Sequence, residues 1–248
     1  MRAMIISQPK AGTYLCAEIL KQVGMKPTNW HLFRNRYTDY SGVGLEDARA
    51  KPGGLTKRRK LCEAAAEIDQ AHFAVGHIGY AKSVAETLEP FRKILLTREL
   101  RQALESLCRF KYATGRFRKN ASWHTFNAPR LRLARFLRES GPEYLAKFYG
   151  PVAMWHGQPG TLTIPYTALR SPETVQEIAD HIERPIGHDG AEAALQAALE
   201  ADTITKMPKS TGSMWTPDCE QWFRTTDGPR INQSLGYFAG RPAYISES

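Results

Sequence analysis

Short runs of apolar, partly β-branched residues alternate along the chain with stretches whose apolar positions recur every three or four residues. The first spacing suits strands and the second suits helices. Their alternation predicts an α/β fold, a central parallel sheet flanked by helices. The predicted strands are Ala3 to Ser7, His72 to His77, Lys93 to Arg98 and Thr161 to Tyr166. Within the third, Ile94-Leu95-Leu96 has no polar interruption, as a strand covered on both faces requires. Leu15, Ile19 and Val23 recur every four residues and Gly24 follows as a stop, so a helix is expected from about Gly12. Ser83 with Glu86 reads as a capping box for a short helix ending before Pro90. Leu100, Leu104 and Leu107 mark one face of a longer helix, and Ser171-Pro172 and Thr216-Pro217 each supply an N-cap followed by a proline at the first helical position.

Two stretches lack such periodicity. From Thr28 to Lys60 the chain mixes Trp30, Phe33, Tyr37 and Tyr40 with four glycines and the basic run Lys57-Arg58-Arg59-Lys60. That composition suits either a mobile cover over a site or a solvated surface insertion. Lys206 to Trp215 is rich in Lys, Ser, Thr and Gly and reads as a loop. A length of 248 residues is within reach of one hydrophobic core, so a single domain over 1–248 is expected, with insertions at 28–60 and 115–127.

The 34 Lys and Arg against 25 Asp and Glu leave a net charge of +9, which favours an anionic ligand, acceptor or surface. No apolar run is long enough to span a bilayer, and Met1 to Ile6 is too short for a signal peptide. Cys16, Cys62, Cys108 and Cys219 lie far apart with no zinc-ligand spacing, so they read as reduced thiols of a cytoplasmic protein. Neither a disulfide framework nor a structural zinc is expected.

The chemistry concentrates first at Ser7-Gln8-Pro9-Lys10-Ala11-Gly12-Thr13, which leads from a strand into a helix N-terminus. Free backbone N–H groups and the helix dipole make such a turn an anion site, and Lys10 adds a movable positive charge. The pattern GxxxxGK[ST] is absent because Lys10 precedes the glycine, which disfavours an ordinary ATP or GTP loop.

This loop resembles that of the sulfotransferases that use 3′-phosphoadenosine 5′-phosphosulfate (PAPS), whose 5′-phosphosulfate loop reads approximately Pro-Lys-Ser-Gly-Thr. Here it is Pro9-Lys10-Ala11-Gly12-Thr13-Tyr14. The family's second signature is a strand ending in Arg with a Ser eight residues later, both on the 3′-phosphate. Arg98 and Ser106 match it, although Glu99-Leu100 replaces the family's Asp or Asn then Pro. His77 falls where many members carry the catalytic base in Thr-His-Leu-Pro, and Tyr166 falls where a strand ends in Tyr-Glu-Asp-Leu beside the adenine. Lys209-Ser210-Thr211-Gly212 resembles the Lys-Gly loop that closes over the 3′-phosphate.

The resemblance implies a P-loop-like sulfotransferase fold and transfer of a sulfuryl group from PAPS to an acceptor hydroxyl of a carbohydrate, glycolipid or small molecule, leaving PAP. Lys10, with the N–H groups of Ala11, Gly12, Thr13 and Tyr14, would hold the 5′ end, and His77, an imidazole near its ordinary pKa of ~6.5, would take the acceptor's proton. A sulfuryl group carries one negative charge fewer than a phosphoryl group, so no metal is expected. The insertions at 28–60 and 115–127 would border the acceptor. Arg132, Arg135 and Arg138 recur every three residues of a predicted helix, after Arg116, Arg118 and Lys119. They form either a solvated face or a stripe that attracts an anionic glycan or glycolipid headgroup. A P-loop small-molecule kinase and a basic nucleic-acid-binding protein remain as alternatives, the latter without any recognition motif, so no nucleic-acid partner is expected.

Overall fold

Alternation toward two apolar faces at once builds the first strand. Arg2–Ser7 (β1) sends Ala3 and Ile5 to one side and Met4 and Ile6 to the other, and all four are buried. The computed structural model describes residues 1–50, 55–116, 121–203 and 212–237. After β1 come Thr13–Gln22 (α1), Lys26–Leu32 (β2), Arg36–Asp39 (β3), Leu45–Ala50 (α2), Thr56–Arg58 (β4), Leu61–Ala66 (α3), His72–Gly76 (β5) and Lys82–Thr87 (α4). The second half holds Phe91–Thr97 (β6), Leu100–Ala113 (α5), Pro129–Tyr144 (α6), Gly150–Ala153 (α7), Thr161–Pro165 (β7), Pro172–His181 (α8), His188–Glu200 (α9), Pro217–Arg224 (α10) and Gly228–Ser234 (α11).

The strands form one sheet in the order β4-β3-β2-β5-β1-β6-β7. From β2 to β7 neighbouring strands run parallel, while β3 and β4 add an antiparallel ribbon at one edge. The molecule is thus α/β, with a mostly parallel sheet flanked by helices. Helices α1, α8 and α9 cover one face, packing Ile19, Leu20, Val175, Ile178 and Leu195 over Ile5, Val75, Ile94 and Ile164. Helices α3, α4 and α7 cover the other, over Met4, Ile6, Ala74 and Leu95. Helices α5, α6, α10 and α11 form a third apolar cluster around Trp123, Phe136, Tyr149 and Phe223.

All four predicted strands and the helix after Gly12 are present, and Gly24, at φ 84, turns the chain out of α1. Three expectations change. Residues 28–60 contribute most of β2 and all of β3 and β4, the outermost strands on one side of the sheet, most of whose side chains are half-buried or exposed, and the alternation of β2 is broken by an irregularity between Pro27 and His31, with Asn29 at φ 60. Ser83 is no cap: α4 starts earlier, Ala81 O accepting from Val84 and Ala85, and Ser83 lies within the helix. Finally, Arg132 is 7% exposed, donates to the main-chain oxygens of Phe126 and Asn127 and lies on the Tyr112 ring. Arg135 pairs with Glu139 at 2.5 Å. Of the two readings of these arginines, the free basic stripe on α6 therefore does not form, and Arg132 leaves the solvated face as well. Arg118 and Lys119 lie outside the described residues. Among the described residues no helix is long and apolar enough to cross a membrane.

Candidate active site

The period of two along a strand decides which side chains meet. Ala3 and Ile5, Phe73 and Val75, Ile94 and Leu96, and Ile164 all enter the core under α1. The next position on the same face of each strand is Ser7, His77, Arg98 and Tyr166. Four residues far apart in the sequence, from Ser7 to Tyr166, thus emerge together at the carboxyl ends of adjacent parallel strands, beside the N-terminus of α1. Strands β5 and β6 are consecutive along the chain yet flank β1 in the sheet, and such a switch point leaves a crevice at the strand ends.

The loop from β1 to α1 is held from several sides. Gln8 N–H donates to Leu96 O at 3.2 Å, and Gln8 Oε1 accepts from Arg98 N–H at 3.2 Å. Tyr149 Oη donates to Pro9 O at 3.1 Å, and Arg98 Nη1 donates to Lys10 O at 3.0 Å. Lys10 itself sits at φ 68, a left-handed conformation that the surrounding bonds over-determine. Gly12, at φ 94, caps α1, and a Cβ there would lie 2.7 Å from Leu169 Cδ1 and 2.9 Å from Tyr166 Cδ2. Replacing Gly12 by Ala should therefore push the Tyr166 ring from its place and misalign the loop N–H groups. A destabilisation of about 1 to 3 kcal/mol is expected, read as a drop in urea midpoint at constant slope.

Charge in this crevice is mostly positive. Lys10 Nζ lies 4.3 Å from the centroid of the Phe110 ring on α5, and the Arg98 guanidinium stacks 4.3 Å from that of Tyr166. Burial, then the like charges of Arg98 and Arg116, lower the Lys10 pKa from 10.5 to about 8. Arg98 Nε is buried with no hydrogen-bond partner, a donor that an anion would satisfy. Ser106 lies half-buried in α5, and the neighbouring Glu105 and Arg109 hold the end of the late loop: Arg109 Nη2 donates to Gly212 O at 2.7 Å and Ser213 Oγ to Glu105 Oε2 at 3.0 Å. Gly212 is thereby brought to the α5 side of the crevice. Lys209, Ser210 and Thr211 lie outside the described residues.

On the other side of Lys10 stands His77. Its Nδ1 is 2.8 Å from Ser7 O and 3.2 Å from Ser7 Oγ, which in turn lies 2.7 Å from Thr13 Oγ1. A carbonyl oxygen only accepts, so Nδ1 carries the proton and Nε2 keeps its lone pair. Burial, with the Lys10 charge adding to it and the bond to Ser7 opposing it, lowers the His77 pKa to about 4. The ordinary value expected from the sequence is corrected accordingly, because the imidazole lies among other rings: His31 at 4.6 Å, Phe33 at 6.1 Å and Phe148 at 6.3 Å between centroids. His31 carries no motif in the sequence. It is buried, its Nδ1 lies 3.2 Å from Tyr14 Oη, and burial followed by the His77 charge holds its pKa well below 6.5.

The features that fit a nucleotide with two anionic ends are the Gly12 cradle, which a Cβ would fill, the helix N-terminus, and the unpartnered Arg98 Nε. No protein-family model matches the sequence, and no curated protein matches it. Solved structures do. The mouse sulfotransferase SULT7A1 complexed with PAP is similar with a TM-score of 0.54 at 12% identity, over 95% of this chain and 88% of that one. Retinol dehydratase in complex with androsterone and the inactive cofactor PAP aligns with a TM-score of 0.47 at 12% identity, over 99% of this chain and 73% of that one. With its sheet order, its strand–loop–helix at the N-terminus and its crevice at the strand ends, the chain has the fold of the PAPS-dependent sulfotransferases.

Proposed function

We propose that the chain is a sulfotransferase that moves a sulfuryl group from PAPS to the hydroxyl of a small-molecule acceptor. The observation that carries this reading is the meeting of Lys10, Arg98 and His77 at one end of the sheet, with the His77 proton held at Nδ1 by a main-chain carbonyl. PAPS supplies an activated sulfuryl group and a good leaving group. The N–H groups of Ala11, Gly12, Thr13 and Tyr14 bind its 5′ end, and Lys10 neutralises the charge left on the bridging oxygen. Arg98 and Ser106, joined by Lys209, Ser210, Thr211 and Gly212, bind the 3′-phosphate, while Tyr166 packs against the adenine side of Arg98. His77 Nε2 accepts the proton of the attacking hydroxyl.

The rings of His31, Phe33 and Phe148 around His77 favour an acceptor with a flat apolar body over a glycan or glycolipid. The burial of Arg132 and the pairing of Arg135 remove the main argument for an anionic one. The acceptor then enters from the side of 28–60 and 115–127 within a single domain. The four cysteines are free thiols, which suits the cytoplasm. We assign no step to a metal.

PAP should raise the melting temperature of the protein more than AMP does, and PAPS with a panel of phenols and alcohols should yield sulfated products by mass spectrometry. Stabilisation by ATP with Mg²⁺ but not by PAP would overturn the reading in favour of a kinase. Arg98→Ala should erase the preference for PAP over AMP, a loss of about 1.5 to 3 kcal/mol in calorimetry. Because Arg98 also braces Lys10 O, Arg98→Lys serves as the control that keeps the charge without the fork. An unchanged PAP to AMP ratio in Arg98→Ala would reject the 3′-phosphate assignment.

A further inference from the structure

Two cations share one aromatic ring in this crevice. Lys10 Nζ is 4.3 Å and Arg116 Cζ 5.1 Å from the Phe110 centroid, so both charges gather at a single side chain. The placement of Arg116 is built into the fold: Gly115 at φ 64 ends the run of α5 and returns the chain, Arg116 N–H donates to Lys111 O at 3.0 Å, and Lys111 Nζ donates to Arg116 O at 3.2 Å. The Arg116 charge acts on Lys10 on one side and on the Tyr14 and Tyr40 phenols on the other, and Lys10 also feels Arg98. Tyr14 reaches the base through His31, whose ring lies against His77. Arg116 is thus within electrostatic reach of both the leaving-group lysine and the surroundings of the base.

We propose that Arg116 is a further catalytic residue, one that binds the non-bridging sulfonate oxygens of the transferred group; this rests on the sulfotransferase reading above. In the step, the bond from the acceptor oxygen to sulfur forms and the bond from sulfur to the bridging 5′-phosphate oxygen breaks. The electron pair leaves on that bridging oxygen, opposite Lys10, and the acceptor's proton goes to His77 Nε2. As the transferred group flattens between the acceptor oxygen and the bridging oxygen, its sulfonate oxygens must be held in line, and a guanidinium fork placed to fit that flattened geometry binds it more tightly than the ground state. The same anion relieves the repulsion between Lys10 and Arg116.

The test uses the full-length protein, PAP and PAPS with an acceptor from the panel above. Arg116→Gln should lower kcat about 10²-fold while the PAP Kd stays within about threefold, because PAP lacks the sulfonate. Arg116→Lys should recover part of the loss. A second readout follows from charge alone. PAP favours protonated Lys10, so affinity falls as pH rises above about 8, and removing the like charge of Arg116 should move that fall to higher pH in the Gln variant. Wild-type kcat in Arg116→Gln overturns the proposal. So does an equal loss of kcat and PAP affinity, which would make Arg116 a nucleotide-holding residue. A wild-type protein that neither binds PAP nor turns over PAPS overturns the sulfotransferase reading itself, and this inference with it.

Discussion

Lys10→Ala should lower kcat by about 10²- to 10³-fold, with PAP affinity falling far less, because Lys10 acts on charge that develops only as the sulfur–oxygen bond breaks. The same substitution should leave the nucleotide-free protein as stable as the wild type or more so. Lys10 is half-buried, its charge is desolvated, and Arg98 and Arg116 repel it, so that its pKa drops to about 8. Alanine keeps a Cβ at φ 68 and therefore the same backbone strain, while removing the repulsion. Loss of turnover with an unchanged or raised melting temperature is the expected pair of results. If kcat survives and only KM rises, Lys10 holds the ground state and the leaving-group role is wrong.

His77→Asn should lower kcat by about 10²- to 10⁴-fold with PAP binding intact. Asparagine retains an N–H donor for Ser7 O, which keeps the strand ends joined, but it has no basic nitrogen to take a proton. The lowered pKa adds a pH dependence whose sign can be worked out. Between pH 6.5 and about 4 the unfolded chain holds a proton on this histidine and the folded chain does not. Folding stability is therefore complete above pH 6.5 and declines by up to about 3 kcal/mol as the pH falls to 4. His77→Asn should flatten that decline in denaturant titrations. Bound nucleotide, being anionic, should push the His77 pKa back up, visible as a shift of its ring resonances on adding PAP. Turnover that persists in His77→Asn across the pH range would send the search for a base to another group.

Much of the frame of this protein is encoded locally. Strands β1, β5, β6 and β7, the turn from Gln8 to Gly12 and helix α1 are readable because each is decided by residues adjacent in sequence: the alternation of Ala3 and Ile5 with Met4 and Ile6, the glycine at a left-handed cap, the four-residue spacing of Leu15, Ile19 and Val23. Lys10, Arg98 and His77 are readable as candidates because they sit at the ends of those elements. What the tertiary structure alone decided are the properties that come from neighbours far away in the chain. Residues 28–60 read as an insertion, since these outer strands bury few side chains and show no clean alternation, until pairing with β5 makes them part of the sheet. Arg132, one of three evenly spaced arginines, turns inward because Tyr112 and two carbonyls surround it. His31 joins the site only when β2 lies next to β5, and Arg116 only when the turn at Gly115 lays it on Phe110 beside Lys10. The depressed pKa values of Lys10 and His77 have the same origin, for desolvation and repulsion by like charges depend on what is packed around a group, and the partners that matter here, such as Ser7 and His77 70 residues apart, meet only in the folded chain.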